Sequence, residues 1–267
     1  MKTRFPLDEH RRRVAIADSL SVSCIDAGPE NPQQTLLLLH GAGGRNNQWQ
    51  DQIGYFSDRF RCIAPDMRGH GHSDFPVADY TLNEFMDDLD RLVDVLQLPE
   101  RFVVVAHSFG GALAITYAAT RPERVAKLVL IATSTVIPLN PMLKVLFAMP
   151  PWLLDLARRA IPGRISCPAR VLRKFIPGAV FPWNGWGLLP SITAPTLIIL
   201  GERDRVVPRD SAMAMTTQLQ NCQVEIVRYA AHMPILERPA AVNRALERFL
   251  EERVRSWRGT IEEVRGA

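Results

Sequence analysis

Cysteine is scarce in this 267-residue chain, and the four present, Cys24, Cys62, Cys167 and Cys222, are scattered. No pair has the spacing of a metal-ligand or redox motif, which excludes a small disulfide-stapled scaffold. Three of the four fall in or near expected strands and read as small core hydrophobes. Cys167 has no partner and reads as packing. No apolar run is long enough to span a bilayer, so no stable membrane insertion is expected. The opening Met1-Lys-Thr-Arg-Phe-Pro6 lacks the apolar core of a signal peptide, and a cytoplasmic location is the expectation. Long blocks of one charge are also missing. Thirty-two Lys and Arg stand against 28 Asp and Glu, a net charge of +4. The one dense basic cluster, His10-Arg-Arg-Arg13, reads as a solvated edge, and no nucleic-acid partner is expected. Internal repeats and low-complexity segments are missing as well.

What is present is a large apolar fraction, 47%, enough for a substantial core in one large domain or in one domain with an insertion. Residues 12–26 alternate loosely and predict two short strands, a hairpin at a sheet edge. Thr35-Leu-Leu-Leu-Leu39 is too short for a helix and unbroken by polar residues, the pattern of a strand buried on both faces. A helix bearing Trp49, Ile53 and Phe56 is expected next, then the strand Phe60–Ala64. Thr81-Leu-Asn-Glu84 forms a capping box. It opens a helix whose apolar residues, Leu82, Phe85, Met86, Leu89, Leu92, Val93 and Leu96, recur at spacings of three and four. Further strands are predicted at 101–105, 125–132, 195–200 and 222–227. Helices are predicted from Ala112, over about 209–219 and over about 239–257. The tail 258–267 is polar and is expected to fray. Regular strand–helix alternation predicts an α/β fold with a mostly parallel sheet wrapped by helices.

The alternation breaks between Ser134 and Ser191, where nine prolines and three of the five tryptophans collect. So much proline rules out a simple continuation, and the apolar content argues against a disordered linker. This stretch is read as an insertion (134–191) that lies over a core made of 1–133 and 192–267, with one helical piece at 151–160.

The centre of the chain is Ala106-His-Ser-Phe-Gly-Gly111, set between a strand and an Ala-rich helix. A serine at a sharp strand-to-helix turn needs small neighbours two residues either side, and Ala106 and Gly110 supply them. Taken alone, the six residues fit either a nucleophile elbow or an ordinary serine helix cap. A serine nucleophile needs a histidine as general base, and the histidine needs a carboxylate to orient it. In a parallel sheet these groups must follow the carboxyl ends of strands. Downstream of Ser108, Asp204 follows one strand and His232 the next. A competing role for Asp204 is a turn carboxylate paired with Arg203 or Arg205. Asp66 also ends a strand but precedes the serine. His70 and His72 lack a third ligand, and no metal is expected. The Gly-rich His40–Gly44 loop lacks the Lys-Ser/Thr of a phosphate-binding P-loop.

The order and context of these motifs resemble the α/β-hydrolase fold superfamily, in particular its capped single-domain serine hydrolases. The resemblance covers about residues 14–250. It rests on Leu39-His-Gly-Ala-Gly-Gly44, Asp66-Met-Arg-Gly-His-Gly-His-Ser73, the Ser108 stretch, Gly201-Glu-Arg-Asp204, and His232 with Glu237-Arg-Pro239. Ala106 departs from the usual glycine. The resemblance implies a catalytic triad Ser108–His232–Asp204 and an oxyanion hole from the backbone N–H groups of Phe109 and Ala42. It implies that the histidines of the His-Gly and Arg-Gly-His-Gly stretches brace loops. It also implies a cap that forms the substrate pocket, with Leu143, Phe147, Trp152, Trp183 and Trp186 as candidate lining residues, which equally could pack the cap onto the core. The serine at the elbow sets the chain apart from the haloalkane dehalogenases and epoxide hydrolases of this fold, which carry aspartate there. The expected function is hydrolysis of a carboxylic ester of a small to medium hydrophobic substrate, without cofactor, by a monomer or homodimer. C–C bond, thioester or lactone cleavage, or perhydrolysis, on the same triad is the near alternative. A ligand-binding member without turnover is the alternative from another class.

Overall fold

A computed structural model describes residues 4–136, 150, 152–153, 155–156 and 165–252, and the backbone course of 258–264. Its spine is a nine-stranded sheet in the order β1-β2-β4-β3-β5-β6-β7-β8-β9. The hairpin β1 (Arg11–Ala17) and β2 (Leu20–Ala27) is antiparallel, as is the β2–β4 pair. From β4 (Arg61–Pro65) through β3 (Thr35–Leu39), β5 (Phe102–His107), β6 (Val125–Ile131), β7 (Thr196–Gly201) and β8 (Cys222–Val227), every pair is parallel.

The unbroken apolar runs are explained by burial on two faces. Leu37 and Leu39, Val104 and Ala106, Leu128 and Leu130, and Ile198 and Leu200 point into one core. That core also holds residues of α2 (Leu82–Val95), α3 (Phe109–Thr120), α4 (Ala169–Phe175) and α5 (Arg209–Ala214). The alternate residues, Leu36 and Leu38, Val103 and Val105, Val129 and Ile131, and Leu197 and Ile199, enter the second core. There they meet α1 (Gln50–Phe56), α6 (Pro234–Glu237) and α7 (Pro239–Glu251). The two-residue period of a strand, with helices on both sides, turns each run of leucines and valines into two half-cores.

Local signals act as expected at several ends. The capping box at Thr81 and Glu84 forms, with Thr81 N–H donating to the Glu84 carboxylate at 3.0 Å. α2 turns Phe85, Met86, Leu89, Leu92 and Val93 inward. α3 is apolar all round and buried along nearly its whole length. Such a helix must be covered on both sides. The sheet covers one, and Trp183 lies against the other, its indole N–H 3.4 Å from Thr116 Oγ1.

The expectations fail in three places. The last helix stops at Glu251, not near Trp257. The polar tail expected to fray is the strand β9 (Arg258–Val264), parallel to β8. Its pairing runs through backbone groups, which a polar sequence supplies as well as an apolar one, and it covers an edge that β8 would otherwise leave open. Within 165–191, α4 forms where no helix is predicted, although Val171, Leu172 and Phe175 carry helical spacing. Of the helical piece expected at 151–160, Trp152, Leu153, Asp155 and Leu156 are helical, and the rest lies outside the described residues. Asp155 accepts from the N–H of Ala169 at the start of α4, at 3.1 Å.

Candidate active site

The strand order places the site. After β3 the chain goes outward to β4 and then returns past β3 to β5. Loops leaving the carboxyl ends of β3 and β5 therefore diverge, and the crevice between them is where open parallel sheets bind ligands. Gly41 follows β3 and Ser108 follows β5. A Cβ placed on Gly41 would sit 3.1 Å from Ser108 Cβ, so the two loops touch.

Ser108 has φ 51° and ψ −119°, a left-handed conformation that a residue with a side chain rarely adopts. Strain of this sort costs about 1–3 kcal/mol and persists only where the surroundings impose it. They do so here. The Ser108 N–H donates to Ile131 O on β6 at 2.9 Å, and Ser108 O accepts from Gly111 N–H at 2.8 Å. A Cβ on Gly110 would lie 2.5 Å from Leu39 O, and one on Gly111 would lie 2.5 Å from the Thr133 side chain. Ala106 is fully buried.

The hydroxyl of Ser108 lies 3.1 Å from His232 Nε2, and His232 Nδ1 lies 2.9 Å from Asp204 Oδ2. A carboxylate only accepts, so Nδ1 carries the proton and Nε2 offers its lone pair to the serine O–H. Asp204 Oδ1 accepts from the N–H groups of Val206 and Val207 at 2.8 and 3.0 Å. Burial pushes the Asp204 carboxyl up, but His232 and these two N–H groups outweigh it and hold it below the ordinary carboxylate value. Neither Arg203 nor Arg205 forms an ion pair with Asp204 among the described residues. Arg203 instead places its guanidinium 4.9 Å from the Tyr229 ring.

Three residues to which the sequence assigns no role of their own hold the His232 loop. Tyr229 takes φ 60° and donates its N–H to Glu202 Oε2 at 2.7 Å. Glu237 accepts the N–H groups of Ala231 at 2.5 Å and Met233 at 3.1 Å, on either side of the histidine. Glu237 was visible as part of a motif, but only the tertiary structure gives it this role.

The remaining histidines separate cleanly. His40 Nδ1 donates to Gly41 O at 2.8 Å while Nε2 accepts from Met67 N–H at 3.0 Å. His70 Nδ1 donates to Arg68 O at 2.9 Å and Nε2 accepts from Gly43 N–H at 3.2 Å. Both rings are neutral braces between the β3 and β4 loops. Burial pushes His40 down to about 4. Burial, then the neighbouring His40, pushes His70 down to about 3. Asp66 accepts from Asn46 N–H at 2.6 Å and His72 N–H at 2.9 Å, which ties it to the same loops. Among the described residues no group of three His, Cys, Asp or Glu could hold a metal ion.

Phe109 opens α3, so its N–H has no partner within the helix. Its ring is buried, 4.7 Å from Phe175 of α4 and 5.5 Å from Phe85 of α2. Ala42 is exposed, directly after Gly41. Of the five candidate pocket residues, Leu143 and Phe147 lie outside the described residues. Trp152 and Trp186 are exposed, at 68% and 39%. Trp183 is buried against α3.

A parallel α/β sheet with a strained serine at its switch point, hydrogen-bonded in turn to a histidine and an aspartate, defines a hydrolase-like class of protein. The family model for the alpha/beta hydrolase family matches residues 36–245, and the chain belongs to that family. An uncharacterized protein of Mycobacterium tuberculosis is 29% identical, with 81% of this chain and 75% of that protein aligned. A 2-hydroxymuconate semialdehyde hydrolase of Pseudomonas putida is 28% identical over 81% of this chain and 86% of its own. The crystal structure of the carboxylesterase CesB from Bacillus subtilis superposes with a TM-score of 0.76 at 24% identity, over 91% of this chain and 92% of that one, which shows the shared fold. No helix among the described residues is long and apolar enough to cross a membrane.

Proposed function

We propose that the protein is a serine hydrolase that cleaves a carboxylic ester of a small to medium hydrophobic substrate through an acyl-enzyme. The observation that carries this is the continuous relay from Ser108 through His232 to Asp204, ending on a serine held in a strained turn. Ser108 Oγ attacks the carbonyl carbon as His232 Nε2 takes its proton. Asp204 keeps His232 in the Nδ1–H tautomer and balances the imidazolium that forms. The N–H groups of Phe109 and Ala42 receive the oxyanion, a contribution of about 3 kcal/mol per donor in comparable sites. His232 then protonates the leaving alcohol and later activates a water that releases the acid. The segment 134–191 is proposed as a cap, with Leu143, Phe147, Trp152 and Trp186 as candidate residues of its substrate pocket, whereas Trp183 packs on α3.

Labelling with a fluorophosphonate tests the nucleophile. The folded wild type should be labelled and Ser108→Ala should not. Absence of labelling in the wild type would count against the hydrolase. A series of p-nitrophenyl esters tests the pocket, and turnover of acetate alone would overturn the hydrophobic-substrate reading. The Pseudomonas putida relative, named for a semialdehyde and not an ester, favours a second reading: hydrolysis of an activated C–C bond on the same triad. Turnover of a ring-cleavage diketone without any ester turnover would select it.

A further inference from the structure

His107, next to the serine, is the one buried histidine that makes no hydrogen bond to the β3 or β4 loop. It is 2% exposed. Its Nε2 lies 2.8 Å from the main-chain carbonyl oxygen of His232, 125 residues away. A carbonyl only accepts, so Nε2 carries the ring proton and Nδ1 is a bare lone pair. That Nδ1 is buried with no hydrogen-bond partner. It faces the oxyanion loop instead: a Cβ on Gly41 would lie 2.8 Å from it. The two histidine rings are 5.1 Å apart. The ring is thus wedged between the Gly41 backbone and the carbonyl of His232. Glu237 holds the flanking N–H groups of the same loop, so the loop is gripped from both sides.

A ring used for filling alone would be served better by leucine or phenylalanine. An unpaired buried nitrogen carries a desolvation cost, which only the bond made by the other nitrogen offsets. We propose that His107 is a positioning residue that, through its Nε2–H bond to the His232 carbonyl, sets the distance of the general base from Ser108 and from the Gly41 loop. This rests on the hydrolase reading above. It predicts that the residue before the nucleophile governs turnover without touching substrate.

His107→Phe keeps an aromatic ring and loses the donor, whereas His107→Gln keeps an N–H at nearly the same reach. With p-nitrophenyl butyrate as probe, His107→Phe should lower kcat about tenfold to a hundredfold, as small misplacements of reacting groups do. KM should stay within about twofold, because ground-state binding is untouched. The fluorophosphonate labelling rate should fall in parallel, and His107→Gln should recover most of both. Circular dichroism establishes that each variant is folded. A fully active His107→Phe, or a folded His107→Gln no better than the Phe variant, would overturn the proposal. Long-range proton–nitrogen NMR of the wild type gives a readout independent of turnover. It should show His107 as the neutral Nε2–H tautomer from pH 8 to 5, with the His232 ring signals shifted in His107→Phe. An Nδ1–H or charged His107 would refute the wedge. If the wild type is neither labelled nor active, the hydrolase reading falls and the NMR result alone judges the contact.

Discussion

At the scale of single residues, close approach decides more than charge. Gly110 lets the turn after Ser108 sit against the backbone of Leu39 and His40, whose oxygens would lie 2.5 and 2.7 Å from an added Cβ. Backbone cannot yield as a side-chain end can. Gly110→Ala should therefore destabilise the protein by about 1–3 kcal/mol, the usual range for overpacking, measured as a shift in urea midpoint. An unchanged midpoint would show that the elbow relaxes freely. Asp204 works by orientation. Asp204→Asn keeps the shape but removes the charge that fixes the His232 tautomer. On the hydrolase reading, kcat on p-nitrophenyl butyrate should drop about 10³–10⁴-fold, the order found when a triad aspartate becomes asparagine. A loss under tenfold would mean that another group orients His232.

At the scale of elements, helix ends are completed by distant strands. Lys127 on β6 is buried, and its Nζ donates to the carbonyls of Phe249, Leu250 and Glu252, at 2.6, 2.8 and 3.0 Å. Phe249 and Leu250 lie in the last turn of α7, whose carbonyls have no partners within the helix, and Glu252 caps it. Burial pulls the Lys127 ammonium down from its ordinary value, and these three acceptors hold it in place. Lys127→Met should cost about 2–3 kcal/mol by leaving buried carbonyls unpaired. Hydrogen exchange should locate the loosening in α7 and leave α2 and α3 protected. Uniform loosening of all helices would contradict this. α4 shows the complementary case. Its Phe175 meets Phe85, Phe109 and His70 at ring distances of 5.3, 4.7 and 5.2 Å. A short helix outside the βα alternation is thereby fixed to the helix that starts at the serine.

At the scale of the whole molecule, three buried neutral histidines tie the loops at the carboxyl edge of the sheet together. His40 titrates at about 4, and His70 and His107 at about 3, against 6.5 when unfolded, burial being the main cause in each. Below pH 6.5 the unfolded chain takes up protons that the folded one refuses. Stability is therefore full above about pH 6.5 and falls as the pH drops. Each histidine removes roughly 2 kcal/mol between pH 7 and 5. Asp66 and Asp88, pushed up by burial, act in the opposite sense above pH 3.8, so the histidine contribution is read by comparing variants. The urea midpoint should decline steadily from pH 7 to 5, and less steeply in His107→Gln. A flat profile would mean that the rings are charged or exposed in the folded state.

Much of this was legible along the chain. Five-residue apolar runs can satisfy burial on two faces only as central strands, so the parallel sheet followed from them. Thr81 and Glu84 marked a helix start because capping is local. Ser108, Asp204 and His232 could be picked out because a parallel sheet admits reacting groups only after its strands. What the sequence could not reveal depends on contacts between distant segments. The strand β9 is made by backbone pairing that its polar side chains do not announce. His107 and Lys127 act on main-chain groups far away in sequence, which no spacing rule encodes. Composition and periodicity determined the layers and where reacting groups could stand. The tertiary structure alone decided which nitrogen of each histidine carries the proton and what each one holds, because a hydrogen bond exists only once its partner has been brought within about 3 Å.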